Sequence, residues 1–564
     1  MDDTNTSRDG ELGQAQTSTS NLPNGIRTAP LDRATEIRVA EAAARQNWQL
    51  SPIYHLPNEL LDHVFELAYF ASFETDSSKG KRGSTMAFVQ SASLVSKRWR
   101  EIVLSNPRLW SIIDIPNRLV IETCITRSKS ALLQIPLLFG NIFDLEDSPE
   151  YDAYKECVPI LTACIDRWQS LSYDNARTET VRSLFANPAP NLESLELDAE
   201  AGPEVEEGET ATYIPDGFFH GKLPRLRKLR LLACHLPLNP SNYPNLIELS
   251  LSMIEFHDSS IFALLGVLVA CPSLELVRLH YLAFIPSFSD DESHALARMA
   301  PIAIPRLRKL SIAYVERFEF AQTLLSLIHP PRSLHLRILG GTGPSDDLHS
   351  MLPLHTDLQS TLWSLLDIEE LVFAFRLPPS HNVSKLVEAW HIQGVSRRGS
   401  PNNPPSPLIT LRSFPIVFMQ GGSEGSELEG RLFQNIGRDL RLPQLKTLKI
   451  TRLGAEILSV DAFAGVLDHL PSITHLEFVS CSPGFVRTLV FAPDRRLCPL
   501  LETLQLGHSS ITDEDLLAVI ESRVRAVDDV QDMSLRRLVL EDCGAIDPST
   551  IEKLRDSVEV IILS

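Results

Sequence analysis

One short unit, Pro-x-Leu-x-x-Leu-x-Leu, recurs from about residue 190 to the end of this 564-residue chain and limits what it can fold into. The copies read PNLESLEL from Pro190, PRLRKLRL from Pro224, PNLIELSL from Pro244, PSLELVRL from Pro272 and PRLRKLSI from Pro305. The series resumes with PQLKTLKI from Pro443, PSITHLEF from Pro471, PLLETLQL from Pro499 and a proline-free SLRRLVL from Ser534, with a weaker DIEELVF at Asp367 to Phe373. The last two leucines of a unit alternate as strand residues do, while the first turns the chain inward. Helix-forming stretches such as Val460 to Leu470 and Asp513 to Glu521 lie between copies, so one repeat is a strand plus a helix. Three buried leucines contribute about 5 to 9 kcal/mol, whereas ordering roughly 28 residues costs several times that, so repeats must stack.

The spacing from Pro443 to Pro471 to Pro499 is 28 residues each time, inside the range of about 20 to 29 typical of leucine-rich repeats. LRKLRLLAC ends at Cys234, ITHLEFVSC at Cys481 and LRRLVLEDC at Cys543. These units resemble the cysteine-containing class of leucine-rich repeat, whose cysteines are small buried hydrophobes. The implied fold is an α/β solenoid, a horseshoe with parallel strands on its concave face. The array is expected over residues 190–564, after a connector with first degenerate repeats at 116–189, where Trp168 to Leu171 begins either a degenerate first repeat or a cap. Loops are expected at about 198–218, which includes the acidic stretch Asp198 to Glu209, at the Gly-rich GGTGPSDD from Gly340, and at 393–407 (QGVSRRGSPNNPPSP). Within the last, Arg397 to Ser400 reads as a plain surface loop ahead of a phosphorylation site.

The stretch from Leu56 to Trp110 has a different character. Pro57 suits an early helical turn, Asn58 can cap, and Glu59 places a carboxylate at the positive end of the dipole. At about 100° per residue, Leu60, Leu61, Val64, Phe65, Leu67 and Ala68 fill an apolar arc of roughly 160°. A core-facing stripe needs only about 100°. A second helix carrying Phe88, Val95, Trp99 and Ile102 or Val103 covers one edge of that arc, and the remainder is left for a partner. Phe70 to Ala87 reads as an insertion between the two. Residues 1–30 are disordered by composition, and 31–50 favour a helix.

The pattern Leu56-Pro57, then Leu60, Leu61, Val64 and Phe65, then Leu94-Val95-Ser96-Lys97-Arg98-Trp99 resembles an F-box. Ser96 stands where Cys is usual. Ser51-Pro52-Ile53 before it and Asn106-Pro107-Arg108-Leu109-Trp110 after it are similar to the fungal F-box-like family, and the module is placed at 51–115. The resemblance implies docking on a Skp-family adaptor that joins a cullin scaffold. It assigns Leu56, Pro57, Leu60, Leu61, Val64, Leu94 and Val95 to the adaptor surface, while Phe65 and Trp99 serve either that surface or the module's own core.

Composition narrows the rest. A formal charge of -20 argues against a general nucleic-acid or anionic-membrane binder. The eight cysteines form no Cys-x-x-Cys pair and read as reduced thiols. The N-terminus lacks an apolar signal core, and the longest apolar run, Ile261 to Cys271, is short of the roughly 20 residues that span a bilayer. Cytoplasm or nucleus is the expected compartment. Phosphate-loop, HExxH, zinc, EF-hand and GxSxG patterns are absent, Gly425 to Arg431 matching only part of the first, and the 16 histidines are dispersed. The Asn382-Val383-Ser384 sequon has no meaning in the cytosol. No bond chemistry, metal or cofactor is expected. The sequence therefore reads as the substrate-recognition subunit of a Skp-cullin-F-box type ubiquitin ligase, binding the adaptor through the F-box and a target protein through the repeats. The alternative is a non-degradative leucine-rich-repeat scaffold.

Overall fold

The computed structural model describes residues 38, 52–74, 85–115, 117–137, 149–174, 181–182, 184–199, 212–213, 219, 223–235, 238–240, 243–256, 261–284, 300–315, 318–342, 347–352, 362–375, 390–396, 406–415, 424–440, 442–492, 495–524 and 535–563. Residues 1–30, expected to be disordered, most of the helix expected at 31–50, the acidic stretch beyond Ala199, the basic-serine tetrad and the sequon lie outside them. The chain divides into two compact units, Met1–Ala68 and Tyr69–Ser564. In the first, a 3-10 turn (Pro52–His55) leads into helix α1 (Asn58–Glu74), whose last residues belong to the second. The second continues with α2 (Thr85–Val95), α3 (Lys97–Ser105), α4 (Arg118–Arg127) and α5 (Pro149–Thr162).

Its main body is a sixteen-stranded, mostly parallel sheet with helices alternating between strands, a leucine-rich-repeat solenoid. In chain order the strands are β1 (Leu133–Leu137), β2 (Trp168–Tyr173), β3 (Ser194–Asp198), β4 (Lys228–Leu232), β5 (Glu248–Phe256), β6 (Leu276–Phe284), β7 (Lys309–Val315) and β8 (His335–Thr342). After them come β9 (Glu370–Phe375), β10 (Trp390–Ser396), β11 (Ser406–Pro415), β12 (Thr447–Thr451), β13 (His475–Val479), β14 (Thr503–Gly507), β15 (Arg537–Glu541) and β16 (Glu559–Leu563). The sheet thus starts well before residue 190, and Trp168 does open an early strand.

The repeated leucines explain the register. Leu195 pairs with Leu229, Leu229 with Leu249, Leu249 with Val277, and Leu310 with both Val277 and Leu336, giving one row of aliphatics across six strands. The row resumes with Leu371, Leu448, Leu476, Leu504 and Leu538. All of these are shut from solvent, as are the first leucines of the units, Leu192, Leu226, Leu246 and Leu274. Several strands then end on a left-handed residue, among them Ala233, Arg452, Ser480 and His508, with φ of 53°, 59°, 53° and 48°. Such a conformation costs an L-residue about 1–2 kcal/mol. A hydrogen bond from that residue's N–H to the neighbouring strand's carbonyl offsets it: Ala233 to Ser252, Arg452 to Val479 and Ser480 to Gly507 at 2.8 Å, and His508 to Glu541 at 2.9 Å. The residue that follows turns inward, and here the cysteines find their role. The Cys481 thiol donates to the Ile450 carbonyl at 3.3 Å and Cys543 to Leu506 at 3.4 Å. Burial pushes the Cys481 thiol up to about 11 and Cys234 to about 12, so both stay protonated.

Strand order departs from chain order once, where the sequence pattern breaks. The sequence β8-β11-β10-β9-β12 crosses the middle of the sheet. β10 is antiparallel to both neighbours, while β11 is parallel to β8 and β9 to β12. Two expected loops are therefore partly strand: Gly340 to Thr342 belong to β8, and Gln393 to Ser396 and Ser406-Pro407 to β10 and β11. The expected loop at 198–218 likewise contains Thr212–Tyr213, which pairs with Cys234–His235 in a two-stranded ladder. Backbone pairing with the neighbouring strands overrides the turn-forming residues in these stretches. In the apolar row Gly394 stands between Leu371 and Ile409. A Cβ there would lie 2.5 Å from Ile368 Cδ1 and 2.7 Å from Ile409 Cγ2. The flanking isoleucines already fill the space a side chain would need.

Candidate functional site

In the first unit, the Leu56 N–H donates to the Ile53 carbonyl at 3.4 Å, closing the turn before α1. The first helical bond runs from the Leu61 N–H to the Pro57 carbonyl at 3.1 Å. Pro57 therefore flanks the helix and Asn58 is its first residue, one position later than the cap expected from sequence. Glu59 lies in the first turn, on the favourable side of the dipole. The wide apolar arc resolves into two stripes. Leu61 and Phe65 are buried, 0% and 3% exposed, whereas Leu60, Val64 and Leu67 are 52%, 42% and 59% exposed. Leu61 is thus a core residue rather than a surface contact, and Phe65 takes the core alternative. Leu56 is half-buried and Pro57 exposed.

In the second unit, the expected single helix from Phe88 to Val103 is two helices, because Ser96 breaks it. Ser96 adopts extended backbone (φ -160°, ψ 164°), and its hydroxyl accepts from the Trp99 N–H at 3.1 Å, capping α3. A serine at this position is a better cap than a thiol, which gives its departure from the usual Cys a local structural role. Residues Phe70–Glu74 and Thr85–Ala87, expected within an insertion, are helical, and the stretch between them lies outside the described residues. Leu94 and Val95, at the end of α2, are 77% and 48% exposed, while Val89 and Ala92 on its other side are buried. Trp99 is half-buried.

What holds these exposed residues is a compact cluster behind them. The Thr85 N–H donates to Asp114 Oδ2 at 2.6 Å, and the Ile112 N–H to the Tyr69 hydroxyl at 3.3 Å. Burial raises the Tyr69 phenol well above its ordinary range. Asn106 caps the turn Pro107–Trp110 through the Arg108 N–H at 2.8 Å, and Trp110 Nε1 donates to the Val103 carbonyl at 2.9 Å. The Arg127 guanidinium stacks 4.9 Å from the Trp110 ring. Beside this cluster lies an apolar groove of about 510 Å³ lined by residues including Met86, Val89, Leu94, Trp110 and Leu119. Leu119 is 72% exposed. Sequence reasoning missed Leu119 as a site residue. It opens the apolar run Leu119-Val120-Ile121 in the first turn of α4, and only the fold brings that turn beside α2.

The F-box-like family model matches residues 53–116, the segment that holds α1, α2, α3 and the turn Pro107–Trp110 and ends just before α4. The chain carries an F-box-like domain. F-box proteins are typically non-catalytic ligase subunits that bind a Skp-like adaptor. A solved chain from the crystal structure of the Rad7 and Elc1 complex in yeast is similar at 13% identity, covering 94% of this chain and 98% of that one, with a TM-score of 0.22. A score that low carries no argument from one backbone to the other. No curated protein matches the sequence. Among the described residues, no group of three or more His, Cys, Asp or Glu is placed to hold a metal ion. No described helix is long and apolar enough to cross a membrane.

Proposed function

We propose that this protein is the substrate-recognition subunit of a Skp-cullin-F-box type ubiquitin ligase. The adaptor docks on the F-box-like domain, and the repeats hold a target protein so that its lysines meet the charged conjugating enzyme, a contribution of proximity alone. The observation that carries the reading is the apolar side chains left in solvent within residues 53–116, Leu60, Val64 and Leu67 on α1 and Leu94 and Val95 on α2, with Leu119 just after that segment. A fold with no partner has no reason to expose so many large aliphatics on consecutive helices. Leu56, Pro57, Leu60, Val64, Leu94 and Val95 are the proposed adaptor contacts, joined by Leu67 and Leu119. Leu61 and Phe65 hold the domain together, and Trp99 packs at its edge.

Co-purification with a Skp-family adaptor and its cullin tests this. The intact protein is expected to form a stable complex that Leu60→Asp and Leu94→Asp each abolish while the chain stays folded by circular dichroism. No complex with the intact protein would overturn the reading in favour of a scaffold that acts without a ligase.

A further inference from the structure

The face of the sheet opposite the apolar row carries an ordered set of cations. In register across adjacent strands, Arg230 pairs with Ser250, Ser250 with Arg278, Arg278 with Ser311, Ser311 with Arg337, and Arg337 with Thr410. A guanidinium thus stands on every second strand with a hydroxyl between, and neighbouring strands are about 4.8 Å apart. The hydroxyl residues are buried among the longer side chains, Ser250, Ser311 and Thr410 being 3%, 2% and 6% exposed.

The charges of this row are balanced at one end only. Arg230 is held by Glu196 at 2.8 Å, and Arg278 by Glu248. Further along, Arg337 makes no ion pair among the described residues, and its Nε is shut from solvent with no hydrogen-bond partner. His391 Nε2 is in the same condition. His280 and His335 border the row, hydrogen-bonded to Ser311 at 3.0 Å and Thr410 at 3.4 Å. Arg337 lies close enough to all three imidazoles to hold each below its ordinary range, behind burial as the first cause. A chain of net charge -20 has therefore collected cations on one part of one face and left the central one without an acid.

We propose that this face binds an acidic peptide segment of the target, with a carboxylate or phosphate group seated on Arg337 between the Ser311 and Thr410 hydroxyls. An anion there accepts from the guanidinium and the flanking hydroxyls together, a charge-assisted arrangement. The width, three strand spacings or about 14 Å from Arg278 to Thr410, suits a short extended segment. The strongly negative remainder of the chain disfavours long polyanions. This inference rests on the repeats being the target-binding part of the proposed ligase subunit.

Fluorescence anisotropy with the full chain tests it, using a short fluorescein-labelled Glu-rich peptide, its phosphoserine counterpart and a Lys-rich control. The expected result is salt-sensitive binding of either acidic peptide and none of the control. Arg337→Gln should weaken binding about tenfold or more, Arg337→Lys should weaken it less, and Arg306→Gln, an exposed residue off the strands, should leave it unchanged. Thermal melts show whether each variant is folded, and if Arg337→Gln is not, Arg337→Lys carries the comparison. No binding of either acidic peptide, equal binding of the Lys-rich one, tighter binding of a single-stranded RNA oligonucleotide, or a folded Arg337 variant with unaltered affinity would each overturn the proposal. Adaptor co-purification on the same samples separates the two readings: loss of the adaptor complex with peptide binding intact counts against the ligase assignment and not against this site.

Discussion

Replacing Gly394 by alanine tests how the sheet stays continuous through its one reversal. The new Cβ would sit 2.5 Å from Ile368 Cδ1 and 2.7 Å from Ile409 Cγ2, where ordinary contact begins near 3.4 Å. Both isoleucines are enclosed, 1% and 2% exposed. Ile368 Cδ1 ends a side chain and can rotate, but Ile409 Cγ2 moves only by a change of χ1, which a β-branched side chain in a packed strand resists. Overpacking of this kind costs about 1–3 kcal/mol, against a gain of about 0.4–1 kcal/mol from the stiffer unfolded chain. A net loss of about 1–2 kcal/mol is expected, read as a lower urea midpoint. Ile368→Val removes the nearer clashing atom, so the double variant should be more stable than the two single losses predict. A Gly394→Ala protein as stable as the parent, or a cycle additive within about 0.5 kcal/mol, would refute this packing.

Other outcomes follow from the same contacts. Leu94→Ala removes a side chain that is 77% exposed before docking; if docking buries it, calorimetry should show adaptor affinity falling about five- to thirtyfold. Leu61→Ala should instead lower stability by about 2–5 kcal/mol, seen in the urea midpoint. Arg523 is buried and donates to the carbonyls of Leu489, Cys498 and Leu497 at 2.9, 3.1 and 2.7 Å while stacking 4.3 Å from Phe491. Arg523→Met strands three carbonyls and should cost about 3 kcal/mol or more by the same measurement. His280 and His391 titrate at about 4 in the folded protein, lowered by burial first, against an ordinary 6.5. Below about 6.5 the unfolded chain takes up protons that the folded one refuses, so their contribution is complete above that pH and is lost towards about 4. Urea midpoints should fall on acidification, and less so in His280→Gln and His391→Gln.

The repeats were legible because three apolar positions at fixed spacing both define the motif and fill the core. The reversal was not, since Trp390 to Ser396 carries a glycine at the position where other strands carry an aliphatic, and only Ile368 and Ile409 explain it. In the F-box-like domain, apolar spacing ran on across Ser96, and a single hydroxyl cap decided that the helix stops there. The arc on α1 was correctly wide, but nothing in its composition said that Leu61 turns inward while Leu60 stays in water. The histidines looked dispersed because they lie in different repeats, and the ladder that brings His280, His335 and His391 near Arg337 has no local signature.

The reversed strand also bears on how the sheet is assembled in time. Along the regular repeats a pairing such as Thr447 with His475 closes across an intervening helix. In the meander Phe375 meets Trp390 and Ser396 meets Ser406 across shorter spans. The pairing of Leu336 with Ile409 spans far more chain. Shorter loops surrender less entropy on closing, so β9 to β11 are the strands best able to zip together early and offer a template on which the two flanking arrays grow outward.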